Sequence, residues 1–178
     1  MRTEIAGSQP TVAAVPLDAV EVMVGQKEVQ ALYSKHWQTV FALAFRVTGN
    51  ASDAEDVMQS LFLRLLENHT VLDSARSPEG YLRRAAVNAS IDILRKRRVR
   101  GETELGDHHV LREGSHTDKE HLRRALAKLE PANAELFVLC YLEGYAYEEL
   151  ADMFQTERGT IASRLFRIRA ELRDILSK

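Results

Sequence analysis

Apolar residues recur at helical spacing through most of this chain and nowhere alternate convincingly as in a half-buried strand, which restricts the fold class to all-α. Between residues 29 and 47 they fall at 29, 32, 33, 37, 40, 41, 44 and 47, one face of a helix. Gly49 and Asn50 then break the chain, and Ser52 with Glu55 reads as an S-x-x-E capping box opening a second helix. Its stripe is Ala54, Val57, Met58, Leu61, Phe62, Leu65 and Leu66. Ser77 before Pro78 has the form of an N-cap followed by proline at the first helical position, predicting a third helix to about residue 97. There Leu82, Ala85, Ala86, Ala89 and Ile93 form one stripe, broadened by Val87, Ile91 and Leu94.

Residues 101–118 contain three glycines and no apolar period, as expected of a flexible linker at a domain boundary. Beyond it, Leu122, Ala125, Leu126 and Leu129 predict a helix stopping at Pro131, and residues 132–143 a second stopping at Gly144. A short helix over 147–154, a polar turn and a long helix striped by Ile161, Leu165, Ile168, Leu172 and Ile175 complete the chain. Residues 1–26, with two prolines and no helical period, are expected to form a flexible tail. The expected architecture is therefore two small helical domains, 27–100 and 119–178, joined by the flexible linker.

The 45% hydrophobic content of 178 residues is enough for compact cores. The longest apolar run, residues 136–142, is too short to span a membrane, which needs about 18 apolar residues, so no membrane insertion is expected. The run at residues 12–15 lies between Pro10 and Pro16 and does not fit a secretory signal, so a cytoplasmic location is expected. Cys140 is the single cysteine, and in an apolar helical run it reads as a packed thiol, not a redox group.

The net charge of −2 argues against a generic nucleic-acid coat, but its distribution is uneven. From Arg83 to Arg100 seven basic residues face Asp92 alone, and from Arg158 to Arg173 five arginines face Glu171. The intervening residues 101–118 carry five acids and one arginine, giving a bipartite basic footprint. The last two helices have the pattern of a helix-turn-helix in which Ala151 permits close packing. With the apolar stripe inward, Arg158, Thr160, Ser163, Arg164 and Arg167 face outward. Arginine can pair with guanine edges, and hydroxyls can bind phosphates.

Three motifs make the reading specific. Tyr147-Glu-Glu-Leu-Ala-Asp-Met-Phe followed by Gly159-Thr-Ile-Ala-Ser-Arg-Leu-Phe-Arg resembles region 4 of sigma-70 factors of the extracytoplasmic-function (ECF) type. Gly49-Asn-Ala-Ser-Asp-Ala-Glu-Asp-Val-Met-Gln-Ser-Leu-Phe resembles their region 2.2. Tyr81-Leu-Arg-Arg-Ala-Ala-Val-Asn-Ala-Ser-Ile-Asp-Ile-Leu-Arg resembles regions 2.3 and 2.4. The resemblance spans about residues 28–176 and implies a factor that brings core RNA polymerase to promoter DNA without catalysis. It implies docking of Asp53, Asp56, Gln59 and Ser60 on the β′ coiled coil, and contact of region 4 with the β flap. It also implies a flipped minus-ten base held by residues 72–80 and Asn88, with Arg84, Arg95, Lys96 and Arg98 along the strand, Asp92 capping or pairing with an arginine, and minus-thirty-five reading by Arg158, Thr160, Ser163, Arg164 and Arg167. An anti-sigma protein is a further partner that the family allows.

The chain departs from the family pattern at several points. Gln155 stands where glycine is common and where left-handed geometry would be unfavourable by about 1 kcal/mol for another residue. Glu157 and Ala146 replace usual N-caps, Ala162 a common basic residue, and Ser60 a common acid. Two rival readings fit the sequence less well. Asp107-His108-His109 resembles a signature of metal phosphoesterases, but it lies in a glycine-bearing linker with no strand before it, so no catalytic residue, metal or cofactor is expected. A stand-alone helix-turn-helix regulator would account for the last two helices, but it has no need of the acidic second helix or the basic third.

Overall fold

A computed structural model describes residues 17–68, 77–100 and 113–177. Seven helices follow in order: α1 (Leu17–Thr48), α2 (Ala51–Glu67), α3 (Pro78–Arg100), α4 (Glu113–Leu126), α5 (Pro131–Tyr141), α6 (Tyr147–Met153) and α7 (Arg158–Leu176). No strand occurs among the described residues. Helices α1–α3 form an N-terminal bundle and α4–α7 a C-terminal one, with α3 packed against α1 and α2 on one side and against α4 and α5 on the other.

Several boundaries differ from expectation. Helix α1 begins at Leu17, so residues 17–26 belong to a helix and not to a tail. Helix α4 begins at Glu113, inside the expected linker, while residues 1–16 and 101–112 lie outside the described residues, together with Asp107, His108 and His109. Helix α3 runs to Arg100. The expected capping box does not form: Asn50 is the N-cap of α2, its side chain accepting from Asp53 N–H at 3.0 Å, which places Ser52 inside the first turn. Pro131 opens α5 and does not merely end α4. Glu130 is the N-cap, accepting from Asn133 N–H at 3.1 Å, and a proline at N1 lacks an N–H that would have gone unbonded there in any case.

The core is one continuous cluster. Leu43, Ala44, Leu61 and Leu65 of α1 and α2 meet Leu82, Ala86 and Ile91 of α3, and Leu136, Leu139, Leu150, Ile161 and Leu165 extend it through the C-terminal bundle. The apolar stripe expected on α3 is rotated: Val87, Ser90, Ile91 and Leu94 are buried, whereas Ala85, Ala89 and Ile93 are half-buried. A helix with neighbours on two sides needs apolar groups around much of its circumference, and a single-face reading cannot locate the centre of such a stripe. At the edge of α2, Leu66 is exposed although it continues the stripe.

Gly49 ends α1 with φ +72°, and its N–H donates to Phe45 O at 2.8 Å. A side chain there would overlap the guanidinium of Arg123, which donates to Val47 O at 3.2 Å. Gln155 takes φ +52° in the turn between α6 and α7, and Thr156 N–H donates back to Ala151 O at 2.9 Å. Replacing it with glycine relieves this conformation, and the gain is partly offset by a freer unfolded chain. Gln155→Gly is therefore expected to raise stability by up to about 1 kcal/mol. Equilibrium urea unfolding should show a higher midpoint at an unchanged slope.

Candidate nucleic-acid interface

Helices α6 and α7 build the helix-turn-helix. Ala146 caps α6 without a side-chain bond, but Glu149 reaches back to accept from its N–H at 2.8 Å. Leu150 and Ala151 are buried against α7, whose own buried residues are Ile161, Leu165, Ile168 and Leu172. Glu157 is the N-cap of α7 with no side-chain bond, so the first N–H groups of this helix stay open to an acceptor.

The five outward residues expected on α7 divide into two groups. Thr160, Ser163 and Arg167 are exposed, Ser163 Oγ donating to Thr160 O at 3.0 Å. Arg158 is also exposed and pairs with Glu148 at 2.5 Å; the Glu148 carboxyl is held below its ordinary range by its own backbone N–H and then by this arginine. Arg164 does not project outward. It is half-buried, reaches Ala132 O and Asn133 Oδ1 at 3.4 Å each, and lies 6.0 Å from the Phe154 ring centre. Phe166, absent from the expected set, is exposed on α7.

Helix α3 carries the second basic surface, and most of it faces the C-terminal bundle. Arg84 Nε donates to Glu135 Oε1 at 2.6 Å, and its guanidinium stacks over Phe154 at 4.5 Å. Arg95 donates to Leu129 O at 2.5 Å and Arg98 to Ala127 O at 3.0 Å, while Lys96 is exposed. These arginines were expected to follow a DNA strand; here the carbonyls of the turn after α4 and a carboxylate of α5 accept from them. Asn88 is half-buried in a cavity of about 660 Å³ lined also by Arg64, Tyr81, Arg84, Asp92, Asp152 and Gln155, between α3 and α6. Of the loop expected beside it, residues 72–76 lie outside the described residues, and Ser77 and Gly80 border the cavity.

On α2, Asp56, Gln59 and Ser60 are exposed, Ser60 Oγ donating to Val57 O at 3.1 Å. Asp53 departs from the expected face: its carboxylate is ion-paired with Arg97 of α3 and largely covered. Sequence reasoning also missed two acids, Glu135 and Glu143, whose side chains are 6% and 2% exposed. An acid at the head of the apolar run 136–142 is the signal that could have marked Glu135.

Residues 32–100 match the model of Sigma-70 region 2, and residues 119–172 that of Sigma-70 region 4. An ECF RNA polymerase sigma factor, SigE of Mycolicibacterium smegmatis, is 33% identical over 96% of this chain and 69% of its own. The chain belongs to the sigma-70 family. ECF factor SigL of Mycobacterium tuberculosis is 30% identical, with 77% and 82% covered, and SigW of Bacillus subtilis 27%, with 76% and 84%. Among solved structures, sigma factor RpoE of Bartonella quintana, in complex with the anti-sigma factor NepR, shares the fold at TM-score 0.51 and 22% identity over 85% of this chain and 98% of that one. CnrH, in complex with the cytosolic domain of CnrY, does so at 0.52 and 22% over 89% and 94%. The protein is thus an ECF-type sigma factor that directs RNA polymerase to promoters. The region 2 match covers α2, α3 and most of α1, and the region 4 match covers α5, α6 and most of α4 and α7. No described helix is long and apolar enough to cross a membrane.

Proposed function

We propose that this sigma factor docks on core polymerase through Asp56, Gln59 and Ser60 of α2, opens the minus-ten element against α3 and reads the minus-thirty-five element with α7. Residues 27–100 and 119–178 act as the two working domains. The observation that carries this reading is the presence of two basic helices, α3 and α7, each in a separate matched region, with an exposed acidic face on α2. Asn88 contacts the flipped base, Arg84, Arg95, Lys96 and Arg98 follow the strand, and Thr160, Ser163 and Arg167 meet duplex DNA beside Arg158. Arg164 holds α7 against the start of α5. The protein works in the cytoplasm, catalyses no reaction of its own, and has an anti-sigma protein as a regulatory partner, as RpoE of Bartonella quintana has in NepR. Run-off transcription with core polymerase over a library of genomic promoters tests the reading. Transcripts that require this protein support it and return the promoter sequence, and none would sink it.

The docking face has its own test. Asp56→Lys reverses an exposed charge at a proposed complementary interface, so affinity for core polymerase should fall about fivefold, roughly 1 kcal/mol, with helix content unchanged. Titration of labelled protein with core measures this. Parent-like affinity would remove α2 from the interface.

A further inference from the structure

Of the two arginines proposed to meet duplex DNA from α7, one is tethered. Among the described residues Arg167 has no polar partner, whereas Arg158 Nε donates to Glu148 Oε1 at 2.5 Å. Glu148 stands in the first turn of α6, and its carboxylate is held ionised by its own backbone N–H as well as by the arginine. The two side chains are 63% and 66% exposed, so the pair adds little to stability. What it fixes is geometry. Arg158 is the first residue of α7, the end by which a recognition helix meets base edges. With Nε engaged, the two terminal amines are left as a fork, and among the described residues nothing accepts from them. Such a fork matches O6 and N7 of guanine. An untethered arginine is free to settle on a phosphate instead, where its contact carries no sequence information.

We propose that Glu148 is a positioning residue for promoter selection: by holding Arg158 Nε it aims the arginine fork at a guanine edge of the minus-thirty-five element and withholds it from phosphate. The inference rests on the assignment of α7 made above. Holding the side chain in advance removes part of the ordering penalty of the base contact. The same carboxylate, placed at the DNA surface, repels phosphates and lowers affinity for every sequence alike. Glu148 therefore acts with opposite signs on discrimination, which it raises, and on non-specific binding, which it lowers.

Glu148→Ala, Arg158→Ala and the double variant, each full length and reconstituted with core polymerase, test this. Competition over single-base changes in the minus-thirty-five element of a promoter returned by run-off transcription reads discrimination. Titration of the same promoter with that element scrambled, over a range of salt, reads the phosphate contribution. Arg158→Ala should lower discrimination at one position about five- to tenfold, and Glu148→Ala should lower it at the same position by a similar factor. The two losses should not add, so the double variant discriminates no worse than Arg158→Ala alone. On the scrambled element Glu148→Ala should bind about three- to tenfold more tightly than the parent, with a log–log salt dependence steeper by about one unit, whereas Arg158→Ala should bind more weakly. Thermal unfolding should keep the parent's midpoint in all three.

Parent-level discrimination in Glu148→Ala, beside a loss in Arg158→Ala, would overturn the positioning role and leave the α7 assignment standing. A loss in Glu148→Ala that adds to that of Arg158→Ala, or falls on a different position, would overturn it too, because the carboxylate would then act without the arginine. A lowered unfolding midpoint in Glu148→Ala with equal losses at every position would make the pair a structural one. Parent-level discrimination in Arg158→Ala would take the fork off the base and the inference with it, and the α7 assignment would fall as well only if Arg167→Ala also kept the parent's preference.

Discussion

Asn88→Ala is expected to leave closed-complex formation intact and to lower open-complex formation roughly 5- to 150-fold, the consequence of losing a base contact worth about 1–3 kcal/mol. Asn88 is half-buried on α3 in the cavity that also holds Asp92, where an extruded base would find both donors and acceptors. A template already unpaired across the minus-ten region removes the unstacking penalty of a few kcal/mol but not the recognition. Transcription should therefore recover only in part, and discrimination at the flipped position should stay blurred. Permanganate footprinting on duplex and pre-melted promoters reads opening directly. Footprints equal to the parent's on both, with discrimination retained, would make Asn88 a structural residue of α3.

Arg167→Ala and Arg164→Ala should part company, although both residues belong to the same motif. Arg167 is exposed on α7, so its loss should weaken minus-thirty-five recognition by about 1–3 kcal/mol if it meets a base edge, or all sequences alike if it meets phosphate. Arg164 already reaches Ala132 O and Asn133 Oδ1 and lies near Phe154, so its loss should lower the stability of the C-terminal bundle and leave the order of promoter preference intact. Competition binding over single-base promoter variants, alongside thermal unfolding, separates the two. An altered preference order in Arg164→Ala with unchanged stability would reverse the assignment.

The helical class, the helix-turn-helix and most of the core were legible because each surface helix buries one stripe. Ala54, Val57, Leu61 and Leu65 on α2, and Ile161, Leu165, Ile168 and Leu172 on α7, lie where the period places them. The strain at Gln155 was also legible, since a motif that favours glycine marks a left-handed residue. What escaped depends on distant neighbours. Ser52 with Glu55 has the form of a box, yet Asn50 lies earlier and captures the cap. Asp53 reads as an exposed acid, but Arg97, more than forty residues away, covers it. The burial of Arg164 and the pairing of Arg84 with Glu135 depend on how α5 packs against α7 and α3, and no local period encodes that.

The double-sided packing of α3 also bears on how the molecule comes apart. Leu82, Ala86 and Ile91 are buried in a core that continues without a gap into Leu136, Leu139 and Leu165. Loosening either bundle strips contacts from the helix that the other needs, so the two halves are expected to melt as one cooperative unit. Native-state hydrogen exchange is therefore expected to show α3 and the helices on both of its sides losing protection together.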